Sequence, residues 1–225
     1  MKRLELYGDS ILKGVTYSDE LQKHKLCRPK YDELNKRGIE VNNNSHMGAT
    51  INQGYTLLEE TLTTCDKDTL VLLEFGGNDC NYNWADVSAN PDGEFQPLTP
   101  ENIFIEKYRA AISYVRKTGA SIAVVSLVPL DASKFMNWIT RNLNFNNILH
   151  WLGDVNMLAR WQEHYNVMVN QIAFENNCPI IDIRSEFLKN REYQMLLCSD
   201  GIHPTQRGYD IIGKKIMSSV LEYSR

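Results

Sequence analysis

The chain has 225 residues, 43% hydrophobic and 23% charged, with a formal net charge of -4. That is enough apolar content to bury a sizeable core in a globular α/β protein. The acidic balance and the scatter of the 24 Lys and Arg residues argue against a nucleic-acid surface or a basic patch for membranes.

The elements follow in order. Leu4 and Leu6 lie in a short run that predicts a strand, ended by Gly8-Asp9-Ser10. A loop with Gly14 and many charges comes next. Pro29 is expected to open a helix through Leu34 that ends near Gly38, with proline first and glycine last. Residues 39–41 predict a short strand, which runs into a polar, turn-prone loop over 42–50. From Ile51, the spacing of Tyr55, Leu58 and Leu62 predicts a helix. Residues 70–75 are nearly continuous in apolar side chains, the pattern of a strand buried on both faces, and end in Gly76-Gly77-Asn78-Asp79. A long polar loop then holds Tyr82 and Trp84. Thr99 as N-cap and Pro100 in the first turn predict a helix that turns Ile105, Tyr108, Ile112 and Val115 inward and stops at Gly119.

Residues 122–125 predict a fourth strand. From about 130 to 160 the alternation breaks, and Phe135, Met136, Trp138, Leu143, Trp151 and Leu152 crowd a segment rich in Asn. Trp161, Tyr165, Met168 and Ile172 mark a long helix, 179–183 a fifth strand, and Phe187 a short helix. After Ser199-Asp200-Gly201-Ile202-His203-Pro204, a last helix carries Ile212, Ile216 and Val220 on one face. Five alternations without a linker or repeat predict one domain over 1–225. Its expected fold is a three-layer α/β/α, flavodoxin-like, doubly wound five-stranded parallel sheet of order 2-1-3-4-5. The apolar insert at about 130–160 reads as plain core, as a lid, or as an interface of a homo-oligomer.

No stretch reaches the length of a transmembrane helix, so no integral membrane segment is expected. Met1-Lys2-Arg3 opens basic, but the apolar run after it is too short for a signal peptide. The five cysteines (Cys27, Cys65, Cys80, Cys178 and Cys198) are odd in number and widely spaced. That suits reduced thiols in a cytoplasmic protein. No Cys-x-x-Cys or His-Glu-x-x-His spacing points to a metal.

In an open α/β sheet, ligands gather at the C-terminal strand ends. Ser10, the 45–48 loop, Asn78 and the 200–203 turn all fall at such ends or in adjoining loops. A serine after a strand usually caps the next helix. These four places together supply more than caps: a hydroxyl, an imidazole able to take its proton, a carboxylate to orient the ring, and donors for a developing oxyanion. Asp200 and His203 are three residues apart, close enough to work as one local unit, and Pro204 restricts His203 to an extended backbone.

Gly8-Asp9-Ser10, Asn43-x-Ser45-x-x-Gly48, Gly76-x-Asn78-Asp79 and Asp200-x-x-His203 occur in this order across almost the whole chain. In these four blocks the chain resembles the SGNH hydrolases, also called GDSL esterases/lipases. Ile11 stands where leucine gives that name its last letter. The resemblance implies Ser10 as nucleophile, His203 as general base and then acid, and Asp200 as its orienting partner. It implies an oxyanion hole of the Ser10 and Gly48 backbone N–H groups and the Asn78 amide. It also implies a small-molecule ester as substrate and no cofactor.

Asp9 and Asp79 read as turn-tying residues, and Asp200 is preferred over Asp182 as the partner of His203. His24, His46, His150 and His164 read as surface or helix residues, although His46 is near enough to Gly48 to line a pocket. Tyr82 and Trp84 are candidates for a substrate wall. The expected activity is that of a serine esterase on small or medium acyl esters, with a carbohydrate O-deacetylase first. A lysophospholipase or thioesterase comes second, and a non-catalytic flavodoxin-like binding module is the rival from another class. No Gly-x-Gly-x-x-Gly or Walker loop follows a strand, which disfavours a nucleotide-binding protein.

Overall fold

The computed structural model describes residues 1–27, 29, 31–63 and 67–223. In chain order the strands are β1 (Arg3–Gly8), β2 (Val15–Ser18), β3 (Lys23–Leu26), β4 (Glu40–Asn43), β5 (Thr69–Glu74), β6 (Ser121–Val125) and β7 (Ile180–Ile181). The helices are α1 (Ser10–Lys13), α2 (Asp32–Lys36), α3 (Ile51–Thr61), α4 (Trp84–Ala89) and α5 (Glu101–Lys117). They continue with α6 (Ala132–Ile139), α7 (Phe145–Leu152), α8 (Met157–Glu175), α9 (Ile183–Leu188) and α10 (Gln206–Tyr223), with a 3-10 turn at Tyr193–Leu196.

The period-two geometry of a strand sends neighbouring side chains to opposite faces, and here it builds two cores. On β5, Val71 and Leu73 join one core, while Leu70 and Leu72 join the other. On β6, Ile122 and Val124 divide from Ala123 and Val125 in the same way. The first core is closed by Leu58 of α3, Tyr108, Ile112 and Val115 of α5, and Val169 and Ile172 of α8. The second is closed by Leu12, Leu34, Phe187, Tyr209, Ile212 and Ile216. This is the three-layer α/β/α class.

The sheet is parallel throughout, in the order β4-β1-β5-β6-β7. These labels differ from the expected 2-1-3-4-5 because β2 and β3, which pair with each other as an antiparallel hairpin, have no counterpart in the sequence reading. Numbering the strands of the parallel sheet alone gives the same neighbours. With β1 interior, its C-terminal end opens beside those of β4 and β5, which sets the position of the site.

Several boundaries differ from expectation. α2 begins at Asp32, three residues after Pro29, so the proline precedes the helix and does not open it. Pro100, not Thr99, is the N-cap of α5. Thr99 is used in the turn before it, where its N–H donates to the Asp79 carbonyl (3.0 Å) and its own carbonyl accepts from the Tyr165 hydroxyl (2.6 Å). The fifth strand is two residues long, because the Asp182 side chain accepts from Ser185 N–H and starts α9 at Ile183. The polar loop after Asn78 contains α4, capped by Asn83. The insert at about 130–160 holds α6, α7 and the start of α8, and packs in a third apolar cluster with Trp84 and Val87. Among the described residues, no helix is long and apolar enough to cross a membrane.

Candidate active site

β1 ends at Gly8, and the chain turns at once into α1. Asp9 caps this helix, its Oδ1 accepting from Ile11 N–H at 2.8 Å. Ser10 is therefore the first helical residue, held at the strand end. The other half of the site comes from residues 197–204. An antiparallel bridge between Leu197 and Pro204 closes the neck of this loop, and Cys198 N–H donates to the His203 carbonyl at 2.8 Å. Gly201 makes the turn with φ of 78°; a Cβ there would also stand 2.6 Å from Phe135 N. Only glycine suits both demands.

Within that loop, Asp200 Oδ1 accepts from the N–H groups of Ile202 (3.1 Å) and His203 (3.0 Å). Its Oδ2 lies 2.7 Å from His203 Nδ1, and His203 Nε2 lies 2.9 Å from Ser10 Oγ. An ionised carboxylate only accepts, so Nδ1 carries the proton and Nε2 is free to accept from the serine hydroxyl. Burial pushes the Asp200 carboxyl up, but the hydrogen bond and charge of His203 and the two backbone donors outweigh it, and the group lies below the ordinary aspartate range. α10 braces the arrangement: the Tyr209 hydroxyl donates to the Val15 carbonyl at 2.6 Å, just after α1.

A second set of carboxyls lies at the ends of β1 and β5. Burial pushes Glu74 well above its usual range, and the charge of Asp9 pushes it further; it hydrogen-bonds Asp9. Asp9 is raised too, by burial, against the pull of its donors. Asp79 is pushed up to about 6, chiefly by burial. Its Oδ1 accepts from Ile51 N–H at 2.9 Å, which anchors the start of α3. The tying role expected of Asp9 and Asp79 is what their contacts show.

The turn after β5 begins at Gly76, with φ of 138° and with Leu127 Cδ1 2.9 Å from where a Cβ would lie. It delivers Asn78 to the crevice beside Ser10. The Asn78 amide donates to Asp9 Oδ2 (3.0 Å) and to the Ala49 carbonyl (3.1 Å), so both of its hydrogens are in use. Gly48 is exposed, has φ of 78°, and is not part of the crevice wall. His46 does not meet the expectation that it lines the same pocket: its Nδ1 pairs with the Asn44 carbonyl at 3.0 Å, and it faces a separate groove with Met47 and Gln53. The tight 42–50 loop turns its ring away from Ser10.

Ser10, His203, Asn78, Tyr82 and Trp84 do share one crevice, a cavity of about 310 Å³. Tyr82 meets Trp84 and Trp151 ring to ring, at 5.6 and 4.9 Å between centroids. Phe135, Trp151, Leu152 and Leu158 bring the insert into the wall.

His24, read from sequence as a surface or helix residue, lies on β3 and reaches the site. Its Nε2 lies 3.5 Å from Asp200 Oδ2, and its ring centroid is 4.9 Å from that of His203. The alternation Lys23-His24-Lys25-Leu26 was the available signal, a short edge-strand pattern hidden by its charges. His24, Asp200 and His203 are together the donor types of a zinc site. The 2.7 Å from His203 Nδ1 to Asp200 Oδ2 is a hydrogen-bond distance; two ligands spread tetrahedrally at about 2.0–2.1 Å from one ion would stand about 3.3 Å apart.

Residues 6–211 match the GDSL-like lipase/acylhydrolase family. No curated protein matches the chain. Among solved structures, it is similar to a lipase/acylhydrolase from Enterococcus faecalis, at 17% identity and a TM-score of 0.62, covering 98% of this chain and 95% of that one. It is also similar to the acetyl xylan esterase AlAXEase, at 22% identity and a TM-score of 0.62, covering 97% and 99%. A mutant of an acetyl-xylooligosaccharide esterase from Geobacillus Stearmophilus shares 17% identity at a TM-score of 0.64, covering 97% and 94%. At these identities the solved structures speak for the fold, and the match over 6–211 speaks for descent: the chain belongs to the GDSL-like lipase/acylhydrolase family of ester-hydrolysing enzymes.

Proposed function

We propose that this protein is a serine esterase that hydrolyses small or medium acyl esters through an acyl-enzyme. One observation carries the reading: the unbroken line from Ser10 Oγ through His203 (2.9 Å) to Asp200 (2.7 Å). A serine hydroxyl is a weak nucleophile until a base takes its proton. Here His203 Nε2 takes it as Oγ adds to the ester carbonyl, and Asp200 stabilises the imidazolium. The developing oxyanion is met by the Ser10 N–H and the Asn78 amide; the Gly48 N–H, the third donor that the family resemblance implies, lies outside the crevice wall and would have to move in to reach it. Asn78 serves by giving up its bond to the Ala49 carbonyl, while the bond to Asp9 holds the amide in place. The tetrahedral adduct collapses, the alcohol leaves with the proton from His203, and water then repeats the sequence on the acyl-serine.

Ser10→Ala should lower kcat on an activated acetyl ester by about 10^4-fold or more. Undiminished turnover would remove Ser10 from the chemistry. A wild-type protein that turns over no ester would instead favour the binding-module reading.

For the substrate, a carbohydrate O-deacetylase is the first reading. Aromatic rings on one wall of the crevice suit sugar faces, and the resemblance to acetyl xylan and acetyl-xylooligosaccharide esterases supports it. A second reading, an acylhydrolase of the lysophospholipase or thioesterase kind, is favoured by Leu130, Leu152 and Leu158 in the same wall. A panel of p-nitrophenyl esters separates them. Each methylene buried adds about 0.8 kcal/mol, roughly a fourfold gain in kcat/KM per carbon, whereas an acetyl-specific site gives a falling series. The four described cysteines are free thiols, which supports the cytoplasm as its location.

A further inference from the structure

Three indoles line the crevice that holds Ser10 and His203, and their N–H groups are all committed within the protein. Trp84 Nε1 donates to Asn81 Oδ1 at 2.7 Å, Trp161 Nε1 to the Cys80 carbonyl at 2.9 Å, and Trp151 Nε1 to the Gly93 carbonyl at 3.1 Å. Gln162 is engaged at both ends of its amide, by the Val128 carbonyl (2.7 Å) and by Arg184 (2.9 Å). Asn81 differs. It lines the same crevice and is half-buried. Its backbone N–H donates to the Asn78 carbonyl (3.0 Å), and its carbonyl accepts from Leu98 N–H (2.7 Å). Its Oδ1 accepts from Tyr82 N–H at 3.0 Å as well as from Trp84. A backbone amide and an indole can only donate, so the oxygen end of the side chain is settled and the NH2 is the other end. Among the described residues, that Nδ2 has no partner.

We propose that Asn81 is a specificity-determining residue: its Nδ2 donates to an oxygen of the substrate's alcohol portion while that portion rests against the Tyr82 and Trp84 rings. This deepens the esterase reading above and rests on it. A fixed donor beside apolar ring surface suits an uncharged alcohol with oxygens on its edge and C–H groups on its faces, which is the make-up of a sugar. A phosphate-bearing alcohol would meet no Lys or Arg, because none lines the crevice among the described residues. A hydrocarbon alcohol would cover Nδ2 without giving it an acceptor, and a donor shut off from water unpaired costs binding. Selection of this kind works through what the wrong substrate leaves unsatisfied.

Two esters of equal ring size test this, a monoacetylated methyl xyloside and cyclohexyl acetate. Asn81→Asp keeps the two bonds accepted by Oδ1 and puts in place of Nδ2 an oxygen that, ionised, cannot donate. The ratio of kcat/KM for the xyloside to that for cyclohexyl acetate should fall by about tenfold from its wild-type value. An unchanged ratio, whether neither rate falls or both fall together, would overturn the inference. A second measurement needs no turnover and no change at position 81. In Ser10→Ala, the side-chain amide resonance of Asn81 should move on titration with methyl xyloside and stay in place with cyclohexanol. An amide that ignores the xyloside, or answers both alcohols alike, would also overturn it. A wild-type protein that cleaves no ester would sink the esterase reading instead, and the amide titration would still decide whether Asn81 binds a sugar.

Discussion

Asp200 and the Asp9–Glu74–Asp79 group are almost equally buried, but the chain treats them in opposite ways. Asp200 receives two backbone N–H groups and the His203 ring, and it is held below the ordinary aspartate range. Glu74, Asp9 and Asp79 have fewer donors for their share of burial, crowd one another, and are all held above their ordinary ranges. Burial alone does not decide the charge of a carboxyl; the number and polarity of its partners do. The difference also divides labour. A permanent negative charge belongs beside the histidine that turns positive, and a proton-sharing cluster belongs where the backbone must be tied without adding charge next to an oxyanion.

The largest expected effect comes from erasing the charged member. Asp200→Asn keeps the shape but loses the charge and the tautomer control, and kcat should fall by about 10^4-fold. A fall of less than tenfold would mean that the two carboxyl environments are not functionally distinct. Next, Asn78→Ala removes a donor from the proposed oxyanion hole and should lower kcat by about 10^2–10^3-fold. Circular dichroism should show the fold intact, and an unchanged rate would make Asn78 a turn residue only.

The smallest effect is on stability. An aspartate raised to about 6 in the native state binds more protons there than in the unfolded chain, between about pH 4 and 6. Its contribution to stability is therefore largest in mild acid, falls as pH rises through that window, and stays low above it. In Asp79→Asn this part of the slope should vanish. The difference in Tm between pH 4.5 and pH 7 should shrink by several degrees, for a change on the order of 2 kcal/mol. An unaltered slope would place the proton elsewhere in the cluster.

Much of this was legible in the sequence where one interaction dominates locally. The apolar runs of β5 and β6 and the glycine-bearing strand ends are written in consecutive residues, and so is the Asp200-x-x-His203 unit. Pieces that depend on distant partners were not. The β2–β3 hairpin is charged along most of its length, and its reason for pairing is the loop at Cys198–Asp200, which is far off in sequence. Thr99 has the right chemistry for a cap, but Asp79 and Tyr165 claim its backbone groups first. The occupied amide of Asn78 and the outward turn of His46 are likewise settled by tertiary neighbours, Asp9, Ala49 and the 42–50 loop.

The 193-residue separation between Ser10 and His203 has a consequence for how the protein is made. The serine is translated before all but the first strand of the sheet, and the imidazole arrives only after every strand of the sheet has been synthesised. A growing chain on the ribosome thus carries an inert hydroxyl, and competence to cleave an ester begins only when synthesis has gone beyond the fifth strand and Tyr209 can brace α1.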